Sequence, residues 1–304
     1  MAGEASENVM KEFSSDNEEK SPSDEMLIEL ALGGDREALE QLVRRYQKWI
    51  YNIALRMTGD PSDAEDVSQE VLLIILTKLS TFKGKSSFRT WIFRIVVNYV
   101  INMKKRKKEM IYSTFSKYGR MIDSCPDMDP PDPRSLPVDL PLLLKEIRII
   151  SMMGMLLCLN RSERLIFILG EIFKVNDVIG SEILEISRDN YRKRLSRARK
   201  RIHSFMEVKC GLVNEENPCH CEKKARSLIL GGALDPNNLR FSREGDSKSE
   251  NVFAEKSSRF EKYVESKCRK LFQELPLMDS PDYVKTFKEI LNSDGFREIF
   301  DFNN

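Results

Sequence analysis

The chain has 304 residues, of which 41% are hydrophobic and 32% are charged, and its formal net charge is +1. This composition is typical of globular modules and excludes collagen-like, coiled-coil rod and disulfide-scaffold proteins. The longest apolar stretch, 149–159, is shorter than the roughly 18 to 20 residues that a membrane span needs. The acidic start lacks the features of a signal peptide. We therefore expect a cytoplasmic protein with no membrane partner.

Three strongly charged segments lie behind the near-neutral net charge. Residues 1–25 carry eight acidic and two basic side chains, 83–108 carry nine basic and no acidic ones, and 188–201 carry eight basic and one acidic. Two separate basic segments suggest two contacts with a polyanion such as DNA. The alternative is that each is a solvated helix face. The polar, acidic residues 1–23 predict a disordered tail.

Apolar residues at intervals of three and four predict three long helices in residues 24–108, the N-terminal module. Gly59-Asp60-Pro61 ends the first helix, and Ser62 with Glu65 is the predicted capping box of the second. A loop over 82–87 precedes the third helix, which is expected to run into the basic residues 104–108.

The second half of the chain begins after a proline-rich linker. Six prolines between residues 124 and 141 predict this linker, which we place over 109–141. Four helices are predicted in residues 142–206, and the last two, 176–184 and 188–206, are typical of a helix-turn-helix because their gap is short and the second is rich in arginine. We call residues 142–206 the helix-turn-helix module.

Residues 207–304 are predicted to form a C-terminal extension with a Cys-containing loop and two helices, near 254–274 and 281–300. The chain has no long alternating stretch of the kind that predicts strands. The predicted fold class is therefore all-α, with two helical modules joined by a Pro-rich linker and followed by a helical extension.

The predicted second helix carries a polar stripe beside its apolar face. Asp66, Gln69, Glu70 and Leu73 recur at intervals of three and four, so they share one side of the helix. Such a stripe can bind a protein partner, with Leu73 supplying apolar area and the polar side chains setting the register. The alternative is a solvated helix face.

A second candidate surface combines cations, aromatic rings and a flexible loop. This mixture suits single-stranded DNA, because cations follow the phosphates while rings stack on exposed bases. Asn98 can pair with a base edge. The alternative is that Phe88 and Trp91 anchor the core. The candidate residues are Lys85, Ser86, Ser87, Phe88, Arg89, Trp91, Arg94 and Asn98.

Four short segments resemble a known family. Residues 63–71 (DAEDVSQEV) and 88–98 (FRTWIFRIVVN) resemble region 2 of bacterial sigma factors, most of all the extracytoplasmic-function group of the sigma-70 family. Residues 159–164 (LNRSER) and 192–201 (RKRLSRARKR) resemble region 4 of the same family. The resemblance covers about 24–107 and 140–206.

The resemblance implies a dissociable initiation subunit of RNA polymerase, with no chemistry of its own. Core RNA polymerase and promoter DNA are the implied partners, and the family also allows an anti-sigma factor. The stripe that includes Asp66, Gln69 and Glu70 matches the polymerase-docking motif, and the aromatic-basic surface matches the module that melts the −10 element. The match to the −35 reader places Arg188, Asp189, Asn190, Tyr191, Arg192, Arg194 and Arg197 on the recognition helix.

The recognition end departs from the family pattern. Glu185 stands at the turn position that is usually Gly, and the common Pro-Gly-Thr-Val opening of the recognition helix is replaced by residues 188–191. Gly180 interrupts the preceding helix, where it is expected to cost up to about 1 kcal/mol. These departures leave the base preference open.

Three of the six cysteines cluster directly after the basic helix. Cys210, Cys219 and Cys221, together with His203, offer three thiolates and an imidazole, which is a structural zinc set, although the spacing is not that of a CxxC pair. Cys219 and Cys221 could instead bind a softer cation or act as a redox pair. The remaining alternative is ordinary thiols in a capping loop. The predicted function itself requires no cofactor.

Two other classes of protein stay open at this point. A stand-alone helix-turn-helix DNA-binding regulator, responsive to metal or redox state, would need neither the polar stripe nor the aromatic-basic loop. A nucleic-acid hydrolase would need a metal-binding carboxylate cluster or a His-based site, whereas the two His residues lie near the Cys cluster. We predict a non-enzymatic transcription initiation factor.

Overall fold

A computed structural model describes residues 22–242 and 260–291, with side chains described for 22–242 and 266–287. These residues form thirteen α-helices and no β-strand, which confirms the all-α prediction. The helices are α1 (Asp24–Leu32), α2 (Arg36–Thr58), α3 (Pro61–Thr77), α4 (Phe88–Asn102), α5 (Lys107–Ile111), α6 (Phe115–Ser124), α7 (Leu140–Leu157), α8 (Arg161–Phe167), α9 (Asp177–Ile183), α10 (Arg188–Lys209), α11 (Cys221–Leu230), α12 (Phe260–Gln273) and α13 (Tyr283–Leu291).

Local sequence signals set the helix ends of the N-terminal module. Gly59 ends α2 in the left-handed region, at φ 72°, where glycine has no steric penalty. Asp60 then caps α3 by accepting the N–H groups of Ser62 and Asp63, and Pro61 occupies the first turn. The predicted capping box of Ser62 and Glu65 is therefore wrong, because Asp60 supplies the capping oxygen.

The third predicted helix stops earlier than expected and the linker is partly helical. α4 ends at Asn102, before the basic run. α6 lies inside the predicted linker 109–141, where Thr114 caps it and no proline occurs before residue 126. Pro141 lies in the first turn of α7, where its missing N–H costs no helical hydrogen bond.

The helix-turn-helix module has one irregular segment. A π-turn over Ile168–Ile172 follows α8 within the predicted helix 162–173. α9 and α10 reproduce the predicted pair, and Ser187 caps α10. In the extension, α11 replaces part of the expected Cys-containing loop, because Ala225 packs with Leu143, Leu144 and Ile147 of α7. Residues 1–21, 243–259 and 292–304 lie outside the described residues, as do parts of the acidic tail and of both predicted C-terminal helices.

The two modules pack together around one hydrophobic core and are not independent units joined by a flexible linker. α2 packs against α7 and α8, and α4 packs against α8 and α9. Trp49 of α2 lies 3.7 Å from the Phe93 ring and 6.2 Å from the Phe173 ring, measured between centroids. Since Phe173 belongs to the helix-turn-helix module, this aromatic group spans both modules.

A buried ion network links the modules at the start of α8. Glu109 accepts Arg161 Nη2 at 2.7 Å and Arg164 Nη1 at 2.9 Å, and the side chains of Arg164 and Glu109 are each 3% exposed. Arg164 also donates to the carbonyl of Met57, and Arg161 donates to that of Met103. Both arginines come from the LNRSER segment, so the helix-turn-helix module contacts the N-terminal module through its own family-like motif.

We expect Glu109→Gln to destabilise the protein by about 3–5 kcal/mol, because it leaves the buried Arg164 cation without an opposite charge. Urea unfolding at pH 7 measures this change. Glu163→Gln is the matched control: Glu163 pairs with the 44% exposed Arg201, and such a pair contributes about 0–1 kcal/mol. Equal effects of the two substitutions would contradict the assigned role of Glu109.

The same network predicts an acid limit. Burial alone would raise the pKa of Glu109, but hydrogen bonds from Arg161 and from the Arg106 N–H, with the charges of Arg164 and Arg161, outweigh it and lower the pKa to about 2. A pKa below the unfolded value contributes stability above about pH 4.5 that is lost as the pH falls towards 2. The stability difference between wild type and Glu109→Gln should therefore shrink across that window.

Candidate nucleic-acid and protein interface

The polar stripe of α3 lies at the surface. Asp66 and Glu70 are exposed, Gln69 is half-buried, and Leu73 is half-buried against the core. Asp66 has a weak ion pair, 3.7 Å from Arg106, which also lies 3.4 Å from Asp63. The stripe thus offers the exposed carboxylates and the apolar area that a protein partner needs.

The aromatic-basic surface is only partly available. Lys85, Ser87 and Asn98 are exposed, while Ser86, Arg89, Trp91 and Arg94 are half-buried. Ser87 also has a structural role, because its Oγ accepts the Thr90 N–H and caps α4.

Phe88 belongs to the core and needs correction as a candidate base contact. Its side chain is 2% exposed, and its ring lies 5.7 Å from Tyr46, 5.2 Å from Phe82 and 5.5 Å from Trp91. A buried ring cannot stack on a base in this arrangement. Its position is that of a core anchor, the alternative that the sequence left open.

The recognition helix presents most of its candidate residues to solvent. Arg188, Asp189, Arg192 and Arg197 are exposed, and Asn190 and Arg194 are half-buried. Arg194 donates to Asn190 Oδ1 and to Ser162 Oγ, each at 3.1 Å. An exposed row of basic side chains on a recognition helix can follow DNA phosphates.

Tyr191 is the second correction, because it is 1% exposed and lies inside the helix-turn-helix. A Cβ on Gly180 would lie 2.4 Å from a carbon of the Tyr191 ring. The interruption at Gly180 is therefore required by packing: the ring of α10 occupies the space that a side chain of α9 would fill. Glu185 in the turn has φ 52°, the left-handed conformation for which the family uses Gly.

The structure brings the two candidate DNA surfaces together. Arg94 of α4 lies 3.5 Å from the carboxylate of Glu182 and 4.0 Å from that of Glu185, both in the helix-turn-helix. Sequence reasoning did not single out Glu182, and it noted Glu185 only for its place in the turn, not as a partner of Arg94. We call this packing of α4 against α9 the closed arrangement. In it, α9 covers part of the surface that is expected to contact the −10 element.

Cys210, Cys219 and Cys221 lie in or next to the ordered loop that connects α10 to α11. Cys210 and Cys219 form an isolated parallel β-bridge, in which the Gly211 N–H donates to the Cys219 carbonyl at 3.0 Å. Burial, with the neighbouring thiols, raises the pKa of Cys219 to about 12 and that of Cys221 to about 11. His203 is half-buried on α10.

Zinc binds thiolates, so a bound zinc ion would have to displace the protons of these thiols. Among the described residues, no group of three or more His, Cys, Asp or Glu side chains is placed to hold a metal ion. As placed, Cys210, Cys219, Cys221 and His203 do not fit a ligand set. The zinc site stays a prediction, which metal analysis of the purified protein tests.

Comparison with known proteins accounts for the N-terminal module. Residues 42–109 match the family model for sigma-70 region 2. A segment of 79 residues is 37% identical to the RNA polymerase sigma-H factor of Pseudomonas aeruginosa, covering 26% of this chain and 41% of that protein. A segment of 80 residues is 38% identical to the ECF RNA polymerase sigma-E factor of Escherichia coli K12, covering 26% and 41%.

The chain spans less than half the length of these curated relatives. The solved structure of CnrH in complex with the cytosolic domain of CnrY aligns with 60% of this chain and 97% of that chain, at 21% identity and a TM-score of 0.42. Residues 42–109 are thus a sigma-70 region 2. The curated relatives to which this segment is similar include extracytoplasmic-function sigma factors.

We expect Gly180→Ala to destabilise the protein by about 1–3 kcal/mol, because the new methyl group overlaps the Tyr191 ring. Adding Tyr191→Leu should recover part of the loss. Gly119→Ala is the matched control: its Cβ would make ordinary contacts at 3.5 Å, so alanine should stabilise α6 by up to about 1 kcal/mol. Thermal unfolding of the three variants measures these effects, and a neutral Gly180→Ala would contradict the packing argument.

Proposed function

We propose that this protein is a sigma factor that binds core RNA polymerase, recognises promoter DNA and melts it at the start of transcription. The observation that carries the proposal is the region 2 match over 42–109, combined with the exposed Asp66 and Glu70 on α3. In this role the protein binds and positions its partners and catalyses no reaction. Its place of action is the cytoplasm, with the transcription machinery.

Three surfaces share the proposed function. The α3 stripe docks on polymerase, and four residues of α4 contact the melted strand at the −10 element: Arg89, Trp91, Arg94 and Asn98. Base capture there costs a few kcal/mol of unstacking, which cations and rings repay. The exposed basic residues of α10 contact the −35 element.

The proposed role requires the closed arrangement to open. The two promoter elements lie about 25 base pairs apart, or roughly 85 Å at 3.4 Å per base pair. α10 has 22 residues and is about 33 Å long. Because α4 and α9 are in contact, a closed protein cannot place α4 and α10 on both elements at once.

An anti-sigma factor is a further proposed partner, since it would act on the same polymerase and DNA surfaces. The alternative function is a stand-alone helix-turn-helix regulator. The region 2 match disfavours it, because duplex binding alone needs no polymerase-docking stripe. No helix among the described residues is long and apolar enough to cross a bilayer.

Run-off transcription tests the proposal. Purified core polymerase is given genomic fragments with and without the protein, and permanganate reactivity of thymines reports strand opening. We expect defined transcripts and open DNA only when the protein is present. High-affinity duplex binding without polymerase, with no protein-dependent transcript, would favour the regulator instead.

Asp66→Arg and Glu70→Lys should each weaken binding to core polymerase by at least about 2 kcal/mol, as expected for a hot spot of opposite charge. Co-purification with core polymerase measures binding, and circular dichroism confirms unchanged helicity. Glu29→Lys is the matched control, because Glu29 is exposed on α1, outside the stripe. Undiminished binding of both stripe variants would remove α3 as the docking site.

A further inference from the structure

A row of polar side chains on α2 holds an extended segment of the C-terminal extension. Arg44, Lys48, Asn52 and Arg56 recur every four residues along α2, and we call them the α2 stripe. The segment 275–282, the strap, runs along this stripe between α12 and α13. Each member of the stripe contacts a different part of the strap, in reversed order along the two chains.

Asn52 makes the central contact with the strap. Its Nδ2 donates to the Met278 carbonyl at 2.7 Å, and the Met278 N–H donates to its Oδ1 at 2.9 Å. This reciprocal pair satisfies both main-chain groups of one residue, as a neighbouring strand would. An asparagine on a helix therefore recognises extended backbone.

Charged side chains fix the position of the strap on either side of this pair. Lys48 Nζ lies 2.9 Å from Asp279, and Arg44 lies 3.9 Å from Asp282. At the other end, Arg56 Nη2 donates to the Pro276 carbonyl at 2.9 Å. The surface thus fits an extended segment with a proline at one end and acidic residues three apart at the other.

The contacts are of a kind that water can replace. Arg56 is 0% exposed and its Nε has no hydrogen-bond partner in the described part of the chain. Burial lowers the pKa of Arg56 to about 10, which reflects the cost of desolvating the guanidinium. If the strap leaves, Arg56 regains hydration, while the exposed Lys48–Asp279 pair is weak and screened by salt.

The helix before the strap is anchored on the other module. Phe272 of α12 packs edge-to-face on Phe167, with centroids 5.1 Å apart. Arg269 and Gln273 reach Glu171, at 3.1 and 3.0 Å. Glu171 and Phe167 belong to the helix-turn-helix module, whereas the α2 stripe belongs to the N-terminal module. Together α12 and the strap connect the two modules directly.

We propose that the α2 stripe is a docking surface for the strap of the same chain, and that α12 with the docked strap forms an internal clamp that opposes separation of the two modules. Release of the strap frees α2 and removes one connection that keeps α4 against α9. The regulatory part rests on the proposed function, because it assigns to release the gain of promoter access.

Hydrogen exchange of the full-length protein tests the docking. In wild type the amide of Met278 should be protected, and Asn52→Ala should raise its exchange at least tenfold while the amides of α4 keep their protection. Glu274→Lys is the matched control, because Glu274 is exposed immediately before the strap. Equal Met278 exchange in wild type and Asn52→Ala would overturn the docking surface.

A second set of variants covers the case in which Asn52→Ala unfolds α4 as well. Lys48 and Asp279 lie at the surface, and Lys48→Asp and Asp279→Lys should each raise exchange across 275–282 by about two- to fivefold. The double exchange of charge should restore protection. Loss of protection that the double variant does not restore would overturn the assigned pairing.

Transcription separates docking from regulation. Variants that release the strap should reach half-maximal run-off transcription at several-fold lower protein concentration than wild type, a gain that a merely structural contact would not give. Increased exchange with unchanged or lower transcription overturns the clamp and leaves the docking. A wild-type protein that supports no transcription, with the exchange results as expected, overturns the proposed function alone.

Discussion

The closed arrangement depends on the buried pair of Glu109 and Arg164. Arg164 supplies one cation to Glu109 and several N–H groups to main-chain carbonyls of both modules. Desolvating such a pair is costly, so the pair contributes specificity of packing as much as stability. It fixes α8 against the ends of α2 and α4, and the position of α9 on α4 follows from that attachment.

Arg56 is the second buried arginine of the shared core, and its partners differ from those of Arg164. Both arginines are buried in the shared core, but among the described residues only Arg164 faces a carboxylate there. Arg56 relies on the side chain of Asn52, on carbonyls of the strap and on the Phe173 ring, 5.5 Å away. A cation held by carbonyls loses little by returning to water. The two arginines therefore have different roles. The pair of Arg164 and Glu109 fixes the fold, whereas water can replace the contacts of Arg56 with the strap.

Periodicity was enough to predict the three long helices of the N-terminal module, the pair α9 and α10 and the all-α class, and it placed Asp66 and Glu70 on one side of a helix. It missed α1, and the predicted capping box of Ser62 and Glu65 was wrong. Sequence could not decide which aromatic residues enter the core, because Phe88 and Trp91 have the same pattern and only packing separates them. Tyr191 reads as a groove residue until Gly180 is seen beneath its ring. The contact between the two modules could not be predicted from the sequence either, because Arg94 and Glu182 are 88 positions apart along the chain.

Carboxylates of the chain pair with several basic side chains on the surfaces that we propose contact DNA. Arg94 faces Glu182, Arg188 and Arg192 face Asp177, and Arg199 pairs with Glu171. These acids present oxygen to guanidinium groups as phosphate does. The difference is in burial: Glu182 is 48% exposed and its pair is weak, whereas Glu171 is 0% exposed and shared with α12. In the proposed DNA complex, phosphate would replace the carboxylate of the exposed pairs directly, whereas Glu171 is buried and is also held by Arg269 and Gln273 of α12.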